Sequence, residues 1–339
     1  MSFTIHLTRD YDQMSAVAAE IAEASLARTQ AERGDCVLGL ATGNSPTGLY
    51  KYLAKAFNAG RLDPRSTRTF NLDEYAGLPA VNAQQRALHP ESYSFFMVSE
   101  FFGLVSPHLA DTNVPWGTLI DQSSLQEALA SGEGFELVGA DKGRVVSIAP
   151  DAEGYLGWIR DEVLNAYEAR IVESGGIDLH VIGVGGRGHV AFHESGIPFE
   201  GSTVMLVQLD DNTVENAVAD GHFPTVEDTP RFAISMGAEL VFRAREVLMV
   251  ANGSRKTEPV TEAVLGEVTT DVPLSYAQTY VANGGKLSFV LDEEAAAGLI
   301  DRLDDVTAKG IEVVDHRGES YPLVADLTFA RDAASGSLV

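Results

Sequence analysis

Ile177-Asp178-Leu179-His180-Val181-Ile182-Gly183-Val184-Gly185-Gly186-Arg187-Gly188-His189 is an apolar run that dissolves into glycines and ends on a histidine. Residues 177–184 have the pattern of a strand buried on both faces, bounded by turn residues. The four glycines, Gly183, Gly185, Gly186 and Gly188, let the main chain pass close to a ligand. Val190-Ala191-Phe192-His193-Glu194 follows and supplies a carboxylate near the imidazole. Histidine titrates near neutral pH and a carboxylate can fix its tautomer, so His189 with Glu194 reads as a proton shuttle.

Outward from this strand, the same pattern repeats in both directions. Cys36-Val37-Leu38-Gly39-Leu40 is a second short buried run, preceded by an amphipathic helix over 11–33 with Met14, Val17, Ile21 and Leu26 on one face. Gly34 suits that helix's stop. Further strands are expected at 67–72, 144–148, 203–209, 231–236, 245–251 and 286–290. Helices are expected from Thr47 to about Asn58 and near 91–103, 152–173, 212–219, 256–266 and 293–303. Strands alternating with helices predict parallel pairing with right-handed crossovers. The expected fold is therefore α/β: a doubly wound, mostly parallel, Rossmann-like sheet with helices on both faces. Residues 1–305 form one domain in this reading, with an insertion at about 107–143 rich in Gly, Ser, Pro and acidic residues. Residues 306–339 are a C-terminal extension, with a hairpin expected around His316-Arg317-Gly318.

The chain has 339 residues, 45% of them hydrophobic, enough for a large core. Its formal net charge of −25 repels phosphodiester backbones and anionic lipid, which argues against nucleic-acid and membrane partners. An anionic ligand would need a site built locally from backbone N–H groups and a few cations. Cys36 is the single cysteine, so an intrachain disulfide and a multi-thiolate metal site are excluded. The opening residues lack the basic flank and apolar stretch of a secretion signal, and no apolar run approaches a membrane span. The expected location is the cytoplasm.

Three more motifs carry chemistry. Thr42-Gly43-Asn44-Ser45-Pro46 follows the strand at 36–40 and opens a helix, where hydroxyls and N–H groups can hold a phosphate. The ordinary alternative is a strand-to-helix turn with a capping serine. Phe70-Asn71-Leu72-Asp73-Glu74-Tyr75 places two adjacent carboxylates at a strand's end, where each shifts the other's pKa and one can serve as general base; the alternative is a solvated acidic loop. Asn252-Gly253-Ser254-Arg255-Lys256 puts a lysine at a helix start beyond a strand, suited to an anion, or simply a surface lysine.

The glycine-rich run also fits two other readings. Gly183, Gly185 and Gly188 satisfy a dinucleotide fingerprint, with Asp210 about 20 residues on. That fingerprint must open a full helix, and Gly196 and Pro198 stop this segment too soon. His189 and His193 match a helical metal pair, but a third ligand at convincing spacing is absent. Neither cofactor nor metal is expected.

Taken in order, the four motifs resemble the glucosamine-6-phosphate deaminase (isomerase) family, most closely at 41–46, 70–78, His89-Pro90-Glu91-Ser92-Tyr93 and 183–194. 6-Phosphogluconolactonases share the fold and a Gly-His element. The resemblance implies that Asp73 takes a proton from C2 of a hexose 6-phosphate and returns it at C1. His189, supported by Glu194, would open the ring and assist departure of the amine. Thr42, Gly43, Asn44, Ser45 and Lys256 would hold the phosphate. Glu74, Gly183, Gly185 and Arg187 complete the expected substrate-contacting set, and a homo-oligomer is implied. Arg187 stands where the family usually has aspartate, the family's substrate-contacting arginine falls on Val218, and an activator-binding basic pair falls on Met205 and Val207. The classes left open are a sugar-phosphate isomerase or deaminase, a lactonase-type hydrolase, and a sugar-phosphate sensor without turnover.

Overall fold

The computed structural model describes residues 2–219, 221–332 and 338. The strands, in chain order, are β1 (Ser2–Thr8), β2 (Cys36–Leu40), β3 (Thr67–Asn71), β4 (Asp73–Ala76), β5 (Asp111–Asn113), β6 (Phe135–Val138) and β7 (Arg144–Ile148). They continue as β8 (Leu179–Ile182), β9 (Val204–Gln208), β10 (Phe232–Met236), β11 (Glu246–Ala251), β12 (Lys286–Asp292) and β13 (Glu312–Asp315). Eight of them form one sheet in the order β13-β1-β12-β11-β8-β2-β3-β5, and every paired neighbour in it is parallel. This is the doubly wound α/β sheet that the alternating pattern predicts.

Both faces of that sheet are covered. Along β11, Val247, Met249 and Ala251 enter one apolar cluster, while Leu248 and Val250 enter another. The second cluster includes Met14, Val17 and Leu26 of α1 (Tyr11–Arg33) and Leu49, Tyr50 and Leu53 of α2 (Thr47–Asn58). Asp10 caps α1 through Gln13 N–H, and Gly34 ends it at φ 84°, a left-handed position that glycine adopts without strain. On the opposite face lie Leu156, Ile159, Val163 and Tyr167 from the helical stretch 154–173, with Val260 and Ala277 from later helices.

The remaining five strands form a second sheet, β4-β10-β9-β7-β6, in which every pair is antiparallel. The expected strands at 144–148, 203–209 and 231–236 thus exist, but outside the parallel array. Their composition conceals this. In β9, Val204 and Leu206 face one cluster while Met205 and Val207 face another beneath the helix Asp211–Ala219, so both faces are apolar, as in a parallel strand.

The two sheets pack into one apolar core and are bridged through the backbone of Leu72. Leu72 N–H donates to Leu40 O of β2 at 2.9 Å, and Leu72 O accepts from Met236 N–H of β10 at 2.8 Å. β3 ends just before it and β4 begins just after it.

The stretch 107–143 contributes to both layers. β5 extends the parallel sheet beside β3, Ile120 and Leu125 are buried in the core, and β6 pairs with β7. In the C-terminal stretch, β13 pairs in parallel with β1, in place of the hairpin expected around 316–318. The chain then returns across α1 and α2, where Gln13 Nε2 donates to His316 O and Glu319 O, and Tyr52 Oη donates to Pro322 O. Among the described residues, no helix is long and apolar enough to cross a membrane.

Candidate active site

Beyond the carboxyl ends of β2, β3, β8 and β11 lies a cleft of about 240 Å³. Its walls carry Thr42, Gly43, Asn44, Ser45, Asp73, Gly183, Gly185, His189 and Lys256. Motifs spread over more than 200 positions of the chain therefore converge where ligands bind in α/β sheets.

Asp73 is the first residue of β4, pinned at 6% exposure by the Leu72 junction and by pairing with Ser235 of β10. Its Oδ1 is buried without a hydrogen-bond partner. Burial, and next the adjacent Glu74, push its carboxyl up to about 8. A desolvated carboxylate of this kind is a general base poised near working pH.

Glu74 has a different part. Strand alternation turns its side chain away from the cleft, fully buried, toward the start of the helix Tyr93–Glu100. There it accepts from Tyr93 N–H at 3.0 Å, Ser94 N–H at 3.0 Å, Ser92 Oγ at 2.8 Å, Ser94 Oγ at 3.2 Å and its own neighbour Tyr75 N–H at 2.9 Å. Burial raises its pKa, and these bonds to a helix N-terminus oppose the rise. Glu74 does not line the cleft, so the expectation of a substrate contact is corrected. It braces the strand that presents Asp73.

His189 Nδ1 lies 3.1 Å from Glu194 Oε2. Glu194 is 1% exposed, and its Oε1 also accepts from Asp210 N–H at 3.3 Å, so the carboxylate is held from both sides. This arrangement assigns Nδ1–H to Glu194 and leaves Nε2 for the ligand. Gly185 must be glycine, because a Cβ there would stand 1.6 Å from His189 Nε2. At Gly183 a Cβ would meet nothing within 4 Å and would protrude into open space, so glycine keeps that wall low. Ala191 is the non-glycine residue with positive φ (51°) among those described, and it also lines the cleft.

His193 belongs to the scaffold. Its Nδ1 accepts from Ala238 N–H at 3.0 Å and its Nε2 lies 3.0 Å from Ile197 O, with burial lowering its pKa to about 4. Both ring nitrogens are committed to backbone, which removes the metal pair. Among the described residues no cluster of three or more His, Cys, Asp or Glu is disposed to hold a metal. No helix follows Gly188, so the dinucleotide reading lacks its helix too.

At the other end, the turns 42–46 and 252–256 are tied by Ser45 Oγ donating to Asn252 Oδ1 at 2.6 Å. Gly43 (φ 93°) exposes backbone at the opening of α2, and Lys256 stands at the start of the helix Thr257–Leu265. Backbone N–H groups, hydroxyls and one lysine are what a phosphate monoester needs.

The chain is 31% identical over 308 residues to a glucosamine-6-phosphate deaminase of Thermoanaerobacter sp. (strain X514), covering 91% of this chain and 98% of the relative. It is 34% identical over 298 residues to that of Rhodopirellula baltica, covering 88% and 96%. The chain belongs to the glucosamine-6-phosphate deaminase family. No protein-family model matches it. Among solved structures, a monomeric glucosamine-6-phosphate deaminase superposes with a TM-score of 0.64 at 24% identity over 87% of this chain and 99% of that one. The 6-phosphogluconolactonase of Trypanosoma brucei has a TM-score of 0.58 at 17% identity, over 88% and 100%. Both carry the same fold.

This deaminase-family chain departs from the sequence reading at Arg187. Its side chain is 42% exposed and lies 3.3 Å from the buried carboxylate of Asp210, away from the cleft wall, so the expected substrate contact is corrected. Val218 packs against an apolar cluster, and Met205 and Val207 are buried within it, so none of the three offers a polar group to a ligand.

Five of the cleft residues went unrecognised in the sequence. Tyr93 and Phe192 stack at 6.1 Å and 8°, with Tyr75 against both, forming an aromatic wall. Glu91 and His222, joined at 2.8 Å, stand at its edge. The His-Pro-Glu-Ser-Tyr run carried the signal for Tyr93 and Glu91; His222 gave none.

Proposed function

We propose that the protein isomerises and deaminates glucosamine 6-phosphate to fructose 6-phosphate and ammonia without a cofactor. The phosphate is anchored by the 42–45 turn and Lys256, and this remote binding energy positions the reacting carbons. His189 Nε2 takes the proton of the anomeric hydroxyl and passes it to the ring oxygen, and the sugar opens to the aldehyde. Asp73 removes the C2 proton, giving an enolamine across C1 and C2. The same carboxyl returns the proton to C1, leaving an imine at C2. Water adds there, and ammonia leaves with a proton relayed through His189, whose tautomer Glu194 holds.

One observation supports this reading above the rest: a buried, partnerless carboxylate oxygen at Asp73 shares a cleft with an imidazole oriented by a carboxylate. The test is incubation of glucosamine 6-phosphate with purified protein, followed by coupled assays for ammonia and for fructose 6-phosphate. Both products are expected, and both should disappear in Asp73→Asn. Hydrolysis of 6-phosphogluconolactone that survives Asp73→Asn, with no ammonia formed, would replace the proposal with a lactonase. Binding of sugar phosphates with no product in any assay would make the protein a sensor.

A cytoplasmic homo-oligomer completes the proposal. The exposed apolar side chains Val81, Leu88, Phe95 and Val98, all between residues 81 and 98, support self-association, which light scattering of the purified protein will read.

A further inference from the structure

We infer that His222 is a ligand-contacting residue, clamped by Glu91 so that it adds a cation beside Lys256 for the phosphate monoester. The inference rests on the phosphorylated-sugar reading above but not on turnover. His222 follows the helix Asp211–Ala219. His222 N–H donates to Ala217 O at 2.9 Å and Gly221 N–H to Val218 O at 3.0 Å, with Gly221 at φ 83°. This pair of bonds with a left-handed glycine is a Schellman stop, which fixes the Cα of the residue after the glycine. The next residue, Phe223, is 4% exposed, edge-on to Tyr75 at 5.4 Å and stacked with His89 at 6.3 Å. His222 is thus held between a helix end and an aromatic anchor.

The side chain is held as well. His222 Nδ1 lies 2.8 Å from Glu91 Oε2, linking segments 131 residues apart, and Glu91 N–H donates to His89 Nδ1 at 3.1 Å. With Nδ1 committed to a carboxylate, Nε2 is the nitrogen presented to a ligand. His222 borders the cleft and also an adjoining recess of about 420 Å³, and it shares both with His189 and Lys256. The side chain is 47% exposed, so a solute can reach it.

Electrostatics gives the contact its purpose. The chain carries a formal charge of −25, and the Glu91 carboxylate lines the cleft itself. A phosphate dianion entering this field needs more than one nearby cation. When it binds, His222 stands between a carboxylate at one nitrogen and a phosphate oxygen at the other. Nε2–H then donates a charge-assisted bond to the ligand.

The test is calorimetric binding of inorganic phosphate and of glucose 6-phosphate to the intact protein, with His222→Ala, His222→Gln, Glu91→Gln and the double variant His222→Ala/Glu91→Gln. Circular dichroism and melting confirm folding, and His222→Gln serves if the alanine variant unfolds. Loss of a charge-assisted bond predicts about tenfold weaker binding of both probes in either His222 variant. The double variant should stay as weak as His222→Ala. Recovery to wild-type affinity in the double variant would mean that His222 only neutralises Glu91, and the contact would be discarded. Unchanged affinity in both His222 variants, or no binding of either probe to the wild type, overturns it as well. Failure of the deaminase assay with phosphate binding still dependent on His222 would sink the proposed function and leave this inference standing.

Discussion

Asp73 and Glu74 are consecutive, both buried, and opposite in fate: the Glu74 carboxylate accepts five hydrogen bonds, whereas Asp73 Oδ1 accepts none. One carboxyl is structural because it is satisfied. The other is available for chemistry because it is not. A neutral amide at 73 keeps the shape and removes the base. Asp73→Asn should therefore lower kcat by about 10³, within the range general-base removal produces, as read by ammonia release.

The same substitution should change how stability depends on pH. Burial raises the Asp73 carboxyl from the ordinary carboxylate range to about 8, so the folded chain holds this proton more tightly than the unfolded chain. Its stabilising contribution is full below about pH 4 and is lost as pH rises toward 8. Wild type should lose melting temperature relative to Asp73→Asn between pH 5 and pH 8, by thermal scans in matched buffers. Parallel curves would remove the raised pKa from the argument.

Activity should run in the other direction. Since Asp73 works as a base only when ionised, kcat/KM for the free enzyme should climb with pH toward a limb near 8. A profile flat from pH 6 to 9 would assign the proton transfer elsewhere.

Glu74→Gln keeps the volume but turns an amide NH₂ toward three backbone N–H donors and two hydroxyls. We expect a loss of about 2–3 kcal/mol of folding free energy, since buried donors lose a charged acceptor. Denaturant unfolding measures it. Ser92→Ala, which removes one of the five bonds, should cost about 1 kcal/mol.

Glu194→Gln should reduce kcat by about 100-fold with little change in KM, because His189 loses the partner that fixes its tautomer and supports its charge. By contrast, Arg187→Ala should leave KM for the sugar phosphate within about twofold, since that side chain lies against Asp210 and off the cleft wall. Steady-state kinetics on the two variants separates the shuttle from its neighbour.

The parallel sheet was legible because each buried run ends in small or polar residues at its carboxyl end, as Leu40 does before Ala41-Thr42-Gly43 and Ile182 before Gly183. Those ends line the cleft, so the convergence of Asp73, His189 and the 42–45 turn on it was legible too. The second sheet was not. β9 is apolar on both faces because a helix covers its outer side, and strand periodicity cannot tell such cover from a second layer of crossover helices. Two strands of the parallel sheet were missed: β1 at Ser2–Thr8, and β5, because Asp111-Thr112-Asn113 is short and polar at a sheet edge. Glu74 and Arg187 were misassigned because a charged side chain beside a motif is indistinguishable from one within it until its partner, a helix N-terminus or Asp210, is known. His222 depends on its pairing with Glu91 across 131 residues, and a contact at that separation has no local signature.

Leu72 carries a consequence for anyone who would rebuild this protein. The register of the carboxyl at 73 is set jointly by two layers bridged at one peptide unit, so its position is a property of their mutual alignment and of no single loop. Transplanting the visible motifs onto a host with one sheet would reproduce every lining side chain and still leave the base misaimed. A host must supply both layers, joined at that peptide.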